Sequence, residues 1–393
     1  MADCLPLTRV REHPVIGTLR PETTAQTVLP LLEAAGAAAG LPGATLLVRE
    51  AEARGYFRAT LARQWQMLQA LLAEHLHDAA DPVAVARAWG ALPDVRARFY
   101  LPGAWTRVAM DLDWPPAEAL DLLRTWSASG GRLIAETLPE TGLRPWAERL
   151  GPDILGLLMS WAADPVPEVR RAAVVAVRPR GVWVETLDWA AEQPSLIVPL
   201  LEALRADSDL RVAGAVANAW NDIARTHPDL ALAVLHRWRE EGAGPRVEWI
   251  ARRGLRSLLK RGDPRALHLL GLGALRVRAE ARLRGPATVR PNASLVFDLT
   301  IRNNGPAEAA HLVHEIETPG RLAGRPRRHR VASGTYFLPA RDSLRLIVRE
   351  RIFDRRAAPL LDGAGRAVFF LNGARAAEAA FDIRRTPGQE VQG

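Results

Sequence analysis

The chain has 393 residues, of which 48% are hydrophobic and 24% charged, a composition typical of a globular protein with room for two domains. Its formal net charge of +8 is carried almost entirely by arginine, since Lys260 is the only lysine, and such an excess favours polyanionic partners, most often nucleic acid. The single cysteine, Cys4, excludes an internal disulfide framework and a CxxC metal site, and no apolar run reaches the length of a membrane span.

Residues 1–26 are predicted to be irregular, and their prolines and charges do not fit a signal peptide. We therefore expect a cytoplasmic, nucleoid-associated bacterial protein. Residues 27–274 are different, because segments such as "TLARQWQMLQALLAEHL" and "PAEALDLLRTWSA" repeat apolar residues at helical spacing. Two stretches, "ADPVPEVRRAAVVAV" and "ADSDLRVAGAVANAW", also match each other at the period of about forty residues that is typical of HEAT units. The pattern predicts an all-α HEAT-like-repeat solenoid, whose inner helices line a concave surface.

Residues 275–384 are predicted to form an all-β immunoglobulin-like sandwich, followed by a tail over residues 385–393. Short runs such as "SLVFDLTIRNNG" and "SLRLIVRERI" alternate apolar and polar residues, and "LNG" is a hairpin signal. Within this half, the segment "GRLAGRPRRHR" (residues 320–330) is dense in arginine. We interpret it either as a flexible clamp on DNA, acting through Arg327, Arg328 and Arg330, or as a solvated loop.

The arginines of the helical half follow two predicted inner helices. Arg170 and Arg171 lie on one of them, Arg252, Arg253 and Arg256 on another, and Lys260 extends the second set. Stacked repeats would align these cations as a concave stripe, which suits the phosphates of a nucleic acid. The alternative is a structural ladder, in which each arginine pairs with the aspartate of the next repeat.

Four segments together carry a resemblance to a known family: "TGLRPWAERL", "VRRAAVVAVRPRGVW", "AVANAWNDIARTHPDL" and "WIARRGLRSLLKRGDPRALHLLG". Over residues 140–273 they resemble the AlkC branch of the AlkC/AlkD DNA alkylation repair glycosylases, a subgroup of which carries a C-terminal immunoglobulin-like domain. The resemblance implies a monomer that binds double-stranded DNA with alkylated bases, without a membrane, metal or other cofactor. It implies hydrolysis of the N-glycosidic bond of cationic N3-methylated bases, such as 3-methyladenine or 3-methylcytosine, without full base flipping.

The resemblance also implies site residues. Glu140 matches an acidic position that activates water or stabilises charge on the sugar, although by itself it reads as an exposed glutamate that opens a helix. Trp183 follows the irregular turn "RPRG" and is expected to contact the base or the sugar, whereas Trp249 is expected in the core with the other tryptophans. The implied DNA-binding residues of the helical half are Arg144, Arg170, Arg171, Arg178, Arg180, Arg252, Arg256 and Lys260.

The sequence departs from the family pattern at two places. Val175 stands where the family has a second glutamate, and Glu185 is the nearby candidate to substitute for it. Ala213 and Gly214 replace two basic residues, while the nearby Asn218 matches. Three functions stay open: an active glycosylase, a DNA-binding relative with lost or weakened catalysis, and a HEAT-type interaction scaffold. Because valine can neither accept a proton nor oppose a positive charge, we predict weak or undetectable base release.

Overall fold

The structure is a computed structural model that describes residues 21–181, 184–242, 244–320, 325–355 and 359–385. The chain divides between Gly254 and Leu255 into two compact units, one helical and one dominated by strands. In the predicted irregular segment, residues 21–26 are instead helical, because the first helix already begins at Pro21. Residues 386–393 of the predicted tail lie outside the described residues.

The helical unit consists of helices that follow one another through short turns. Several begin at a favourable N-terminus: the side chain of Asp81 accepts a hydrogen bond from the Ala84 amide, and that of Asp209 accepts from the Arg211 and Val212 amides. Its helices are α1 (Pro21–Ala39), α2 (Leu47–Ala53), α3 (Leu61–His77), α4 (Pro82–Gly90), α5 (Val95–Arg98), α6 (Leu101–Asp111), α7 (Pro116–Ser129), α8 (Gly131–Leu138), α9 (Arg144–Leu150), α10 (Ile154–Ala162), α11 (Pro167–Val177), α12 (Asp188–Glu192), α13 (Val198–Ala203), α14 (Leu210–Thr226), α15 (Pro228–Glu240) and α16 (Gly244–Gly254).

Helix α11 lies at the centre of the part of this unit that matters for function. It packs against α10 and α14, and α14 packs in turn against α16. Small side chains such as Ala172, Ala173 and Ala176 are completely buried on α11, so its neighbours approach closely. The valine- and alanine-rich sequence of this helix is therefore explained by burial on almost every side.

A π-helical turn, Pro139–Leu143, joins α8 to α9. The amide of Arg144 donates to the carbonyl of Pro139, five residues earlier, and Pro145 has no amide hydrogen to continue the usual helical pattern. The Thr106 hydroxyl donates to the Gly142 carbonyl at 2.8 Å, which supplies this buried acceptor with a partner. Single π-turns inside helices are frequent at functional sites, and this one carries Glu140.

The second unit contains two short helices and two sheets. One sheet has the antiparallel order β1-β3-β6, and the other has the order β2-β8-β7-β4-β5, in which only the β2–β8 pair is parallel. The elements are α17 (Arg256–Arg261), α18 (Pro264–Leu269), β1 (Val277–Leu283), β2 (Thr288–Val289), β3 (Ser294–Asn303), β4 (Glu308–Thr318), β5 (Arg327–Leu338), β6 (Ser343–Arg351), β7 (Gly363–Leu371) and β8 (Ala374–Ile383).

Alternate residues of both sheets enter one apolar core. The rings of Phe297 on β3 and Phe369 on β7 meet edge to face, with centroids 5.6 Å apart. Helices α17 and α18 belong to this unit, because α17 packs against β5. The compact division therefore falls before α17, whereas the sequence placed it at residues 274–275.

The prediction of a flexible arginine loop is wrong. Arg327 begins β5, so Arg327, Arg328 and Arg330 lie on a strand rather than on a flexible loop, while residues 321–324 lie outside the described residues. The guanidinium of Arg328 bonds Glu317 on the adjacent β4 at 2.9 Å, and that of Arg330 bonds Glu315 at 2.9 Å. Since both carboxylates are buried, they require these cations as partners.

Candidate active site

A cleft of about 390 Å³ opens on the helical unit. Its sides come from α8, the π-turn, α11, the first turns of α14, and α16. Both carboxylates and arginines line it, together with the exposed side chains of Leu210 and Trp249. A concave site that combines apolar surface with a few converging charged groups is the usual form of a ligand site.

Glu140 lies in this cleft and is only 4% exposed. The alternative of an exposed helix-opening glutamate is therefore wrong. The turn that follows α11 approaches it closely, since a Cβ atom added at Gly181 would lie 3.5 Å from Glu140 Oε1. A carboxylate that lines a concave site can contact a ligand bound there.

Val175 lines the same cleft and is 6% exposed. Asn218, its counterpart in the next repeat, lies in the cleft as well. Glu185 is exposed and is not among the residues that line the cleft, so its carboxylate does not replace the one missing at Val175. Its backbone carbonyl has a different use, because it accepts a hydrogen bond from Arg144.

A second carboxylate of the cleft, Glu136, was missed from the sequence. It lies on α8, four residues before Glu140, which is the spacing of side chains on one helical face. Arg171 on α11 donates to Glu136 Oε2 at 2.9 Å and also bonds the carbonyl of Ala135. Arg171 thus lines the cleft as the sequence suggested, but it is paired with a carboxylate there.

Arg144 differs from its predicted role as a DNA contact, because it is buried and only 1% exposed. Its guanidinium donates to the carbonyls of Ala176 at 3.3 Å, Arg178 at 2.6 Å and Glu185 at 2.8 Å. Burial lowers the pKa of Arg144, and the charges of Glu148 and Glu140 oppose that change. Arginine stays charged because its ordinary pKa is so high. Arg144 therefore fixes the end of α11 and the turn beside Glu140.

The contacts of Arg170 fit the structural ladder, in which an arginine pairs with the aspartate of the next repeat. Its Nε and Nη2 atoms bond the Asp207 carboxylate of the next repeat at 2.6 and 3.0 Å. The same carboxylate accepts from the Asp209 amide at 2.8 Å, so Asp207 braces the turn before α14, and Asp209 rather than Asp207 caps the helix. Arg124 and Asp164 form the preceding step, with 2.7 Å between Nε and Oδ2. These pairs link repeats and do not leave Arg170 for phosphate.

We expect Arg170→Ala to lower the free energy of unfolding by about 2–4 kcal/mol, because it leaves a buried aspartate without its cation. Affinity for duplex DNA should stay within about twofold, since a single lost phosphate contact would already exceed that change. Urea unfolding and DNA titration measure the two effects. Arg180→Ala, at an exposed position, is the control for stability. A large loss of affinity in folded Arg170→Ala would restore the phosphate interpretation.

Arg178 also lines the cleft and is paired, since its Nη2 atom lies 2.8 Å from Asp222 Oδ2. Arg180 is exposed, on a short backbone bridge to Thr186, and stays a candidate for phosphate contact. Trp183 lies outside the described residues. Among the described parts of this turn, Arg180 is the cation most accessible to a polyanion.

The sequence predicted Trp249 in the core, and this prediction is wrong. Trp249 lines the cleft and is 36% exposed. The guanidinium of Arg253 lies over its ring, 5.4 Å from the centroid. Arg253 also lines the cleft, whereas Arg252 is half-buried on another side of α16. An exposed indole with a stacked guanidinium suits contact with a base or sugar. No sequence signal separated Trp249 from its buried counterparts.

Arg256 and Lys260 lie on α17 and belong to the second unit. Burial and the charge of Arg330 lower the pKa of Lys260, while Glu350 raises it. A role of these two cations in one stripe with Arg171 stays a prediction. Across the described residues, no helix is long and apolar enough to cross a membrane, and no group of three potential ligands could hold a metal ion.

A helical unit with a buried glutamate in its cleft, followed by a two-sheet unit, is an arrangement that can be compared with known proteins. The solved structure of the Pseudomonas fluorescens alkylpurine DNA glycosylase AlkC, bound to DNA containing an abasic site analogue, matches with a TM-score of 0.77. The match covers 94% of this chain and 99% of that one at 23% identity. The chain therefore has the AlkC fold, with its helical region followed by a β-rich region.

Two weaker similarities accompany this match. AlkD2 from Streptococcus mutans has a TM-score of 0.42 and 17% identity, covering 54% of this chain and 97% of that one. The uncharacterized protein YhaZ of Bacillus subtilis (strain 168) is 36% identical over 132 residues, which is 34% of this chain and 36% of YhaZ. The matched region thus spans about a third of this curated relative. No family model matches the sequence.

Proposed function

We propose that this chain is a DNA alkylation repair protein that hydrolyses the N-glycosidic bond of cationic N3-methylated bases, such as 3-methyladenine and 3-methylcytosine. The observation that carries the proposal is Glu140, a buried carboxylate on a π-turn that faces a cleft in an AlkC fold. The AlkC structure contains DNA with an abasic site analogue, which supports DNA as the partner here, and we propose that this DNA is double-stranded.

The reaction needs few groups, because a positively charged base is already a good leaving group. The bond from the sugar C1′ to the base nitrogen breaks, and its electron pair neutralises the base. A water oxygen forms the new bond to C1′, and the proton that this water loses passes to Glu140. A fixed carboxylate also stabilises positive charge that develops on the sugar.

The cleft also bears on how the base is held. Trp249 and Leu210 line the cleft and are exposed, so part of its wall is open to solvent. This arrangement suits a base that stays near the duplex instead of swinging fully out.

We further propose that the helical unit consists of HEAT-like repeats, that the two-sheet unit is immunoglobulin-like, and that the protein acts as a monomer in a bacterial cytoplasm.

A second candidate function is a DNA-binding relative with lost or weakened catalysis. Val175 favours it, since an apolar side chain occupies the part of the cleft where the resemblance expects a carboxylate. A base-release assay on methylated duplex DNA separates the two functions, with the whole chain and Val175→Glu compared side by side. Released 3-methyladenine or 3-methylcytosine supports the glycosylase. Tight duplex binding without release by either protein supports the relative, and absence of duplex binding rejects both.

A further inference from the structure

The cleft that Val175 lines contains a further carboxylate from another helix, that of Glu136. Glu136 and Glu140 line one cleft with Val175, although Glu136 comes from α8 and not from α11. Building on the proposed function, we propose that Glu136, held by Arg171, is the second carboxylate of this site. Its negative charge attracts a cationic ligand in the cleft, which the apolar side chain of Val175 cannot do.

Geometry on α11 explains how Glu136 reaches this position. Arg171 and Val175 are four residues apart on α11, so their side chains share one helical face. Arg171 extends from that face to Glu136 Oε2 and to the Ala135 carbonyl, which holds the end of α8 against α11. The carboxylate is therefore held in the cleft that Val175 lines before any ligand arrives, and fixed charges stabilise a cation without the cost of reorganisation.

Charge compensation around the cleft is consistent with a cationic ligand. Two carboxylates in one partly buried cleft repel each other unless positive charge is close. Arg171 compensates Glu136, and the charge of the buried Arg144 acts on Glu140, while Arg178 is paired with Asp222 and Arg211 with Glu168. Arg253 also lines the cleft, with its guanidinium over the Trp249 ring. The bond from Arg171 engages Oε2 of Glu136, and the Glu136 side chain is 28% exposed. A positively charged sugar ring or methylated base that enters the cleft would be attracted to the exposed part of this carboxylate.

The test compares duplexes that contain a neutral tetrahydrofuran or a cationic pyrrolidine abasic-site analogue, each titrated with the whole chain. We expect the unaltered chain to prefer the cationic analogue, and Glu136→Gln to reduce that preference about three- to tenfold. The effect is limited because Arg171 already offsets part of the charge. Affinity for undamaged duplex should not change, which separates this electrostatic role from a structural one.

Matched variants make the result specific. Glu118→Gln removes the same charge from an exposed position of α7 and should leave the preference unchanged. Adding Val175→Glu to Glu136→Gln should restore the preference, because the carboxylate then comes from α11. Arg171→Gln should keep the preference for the cationic analogue, since it removes the cation that offsets Glu136 and leaves the carboxylate in place. If Glu136→Gln does not fold, Glu136→Asp withdraws the charge from the cleft and serves the same comparison.

The outcomes distinguish this inference from the function on which it rests. A preference for the cationic analogue that Glu136→Gln leaves intact overturns the role of Glu136 while the proposed function stands. Binding without any preference for the cation overturns the inference and also removes the electrostatic basis of the proposed chemistry. Failure to bind any of the duplexes rejects DNA as the partner.

Discussion

Glu140→Gln is expected to lower the rate of base release about 100- to 1000-fold, the typical cost of removing one well-placed electrostatic group. Glutamine has nearly the same shape, so the buried position and the π-turn should survive the substitution. It cannot accept the proton of water and carries no charge to stabilise the sugar. Single-turnover rates with the protein in excess over methylated duplex measure the chemical step directly.

Glu148→Gln is the matched control for this prediction. Glu148 and Glu140 both act on the charge of Arg144, but Glu148 is half exposed on α9 and does not line the cleft. Its substitution should leave base release unchanged. The same pair of substitutions in a Val175→Glu background covers the case in which the unaltered chain is slow. Base release that is insensitive to Glu140→Gln in both backgrounds would place the active site elsewhere.

Much of the fold could be predicted from the sequence, because the helical and alternating periods separate the two halves without reference to partners. The arginine clamp could not. Arg328 and Arg330 belong to a strand because Glu315 and Glu317 face them from the neighbouring strand, and only sheet pairing reveals those partners. A dense run of arginines is therefore mistaken for a solvated loop when the buried carboxylates that pair with it lie in another part of the sequence.

The candidate site divides in the same way. The resemblance drew attention to Glu140 and Val175, which share the cleft. The repeat pattern left two alternatives for Arg170, and its pairing with Asp207 favours the structural ladder. Glu136 was missed although its spacing from Glu140 is a visible signal, because an exposed-looking glutamate on a helix usually faces water. Arg144 was assigned to DNA because the resemblance implied it, yet a buried guanidinium suits converging carbonyls as well as phosphate.

Arg144→Met is expected to lower the free energy of unfolding of the helical unit by about 3–5 kcal/mol. Methionine fills a similar volume but donates no hydrogen bonds, so the carbonyls of Ala176, Arg178 and Glu185 lose their donor. All 12 tryptophans lie within residues 11–254, so their fluorescence during urea unfolding follows this unit alone. The midpoint of the transition should move to lower urea with little change in its slope.

Two further variants test whether the loss comes from these bonds. Arg180→Met alters an exposed arginine of the same turn and should change stability by less than about 0.5 kcal/mol. Arg144→Lys keeps the charge but not the planar fork, so it should fall between the methionine variant and the unaltered chain. Because Arg144 fixes the turn that packs on Glu140, base release should decline along the same series. An Arg144→Met chain within about 1 kcal/mol of the unaltered one would show that these carbonyl bonds do not hold the turn, and Arg144 would return to the list of DNA contacts.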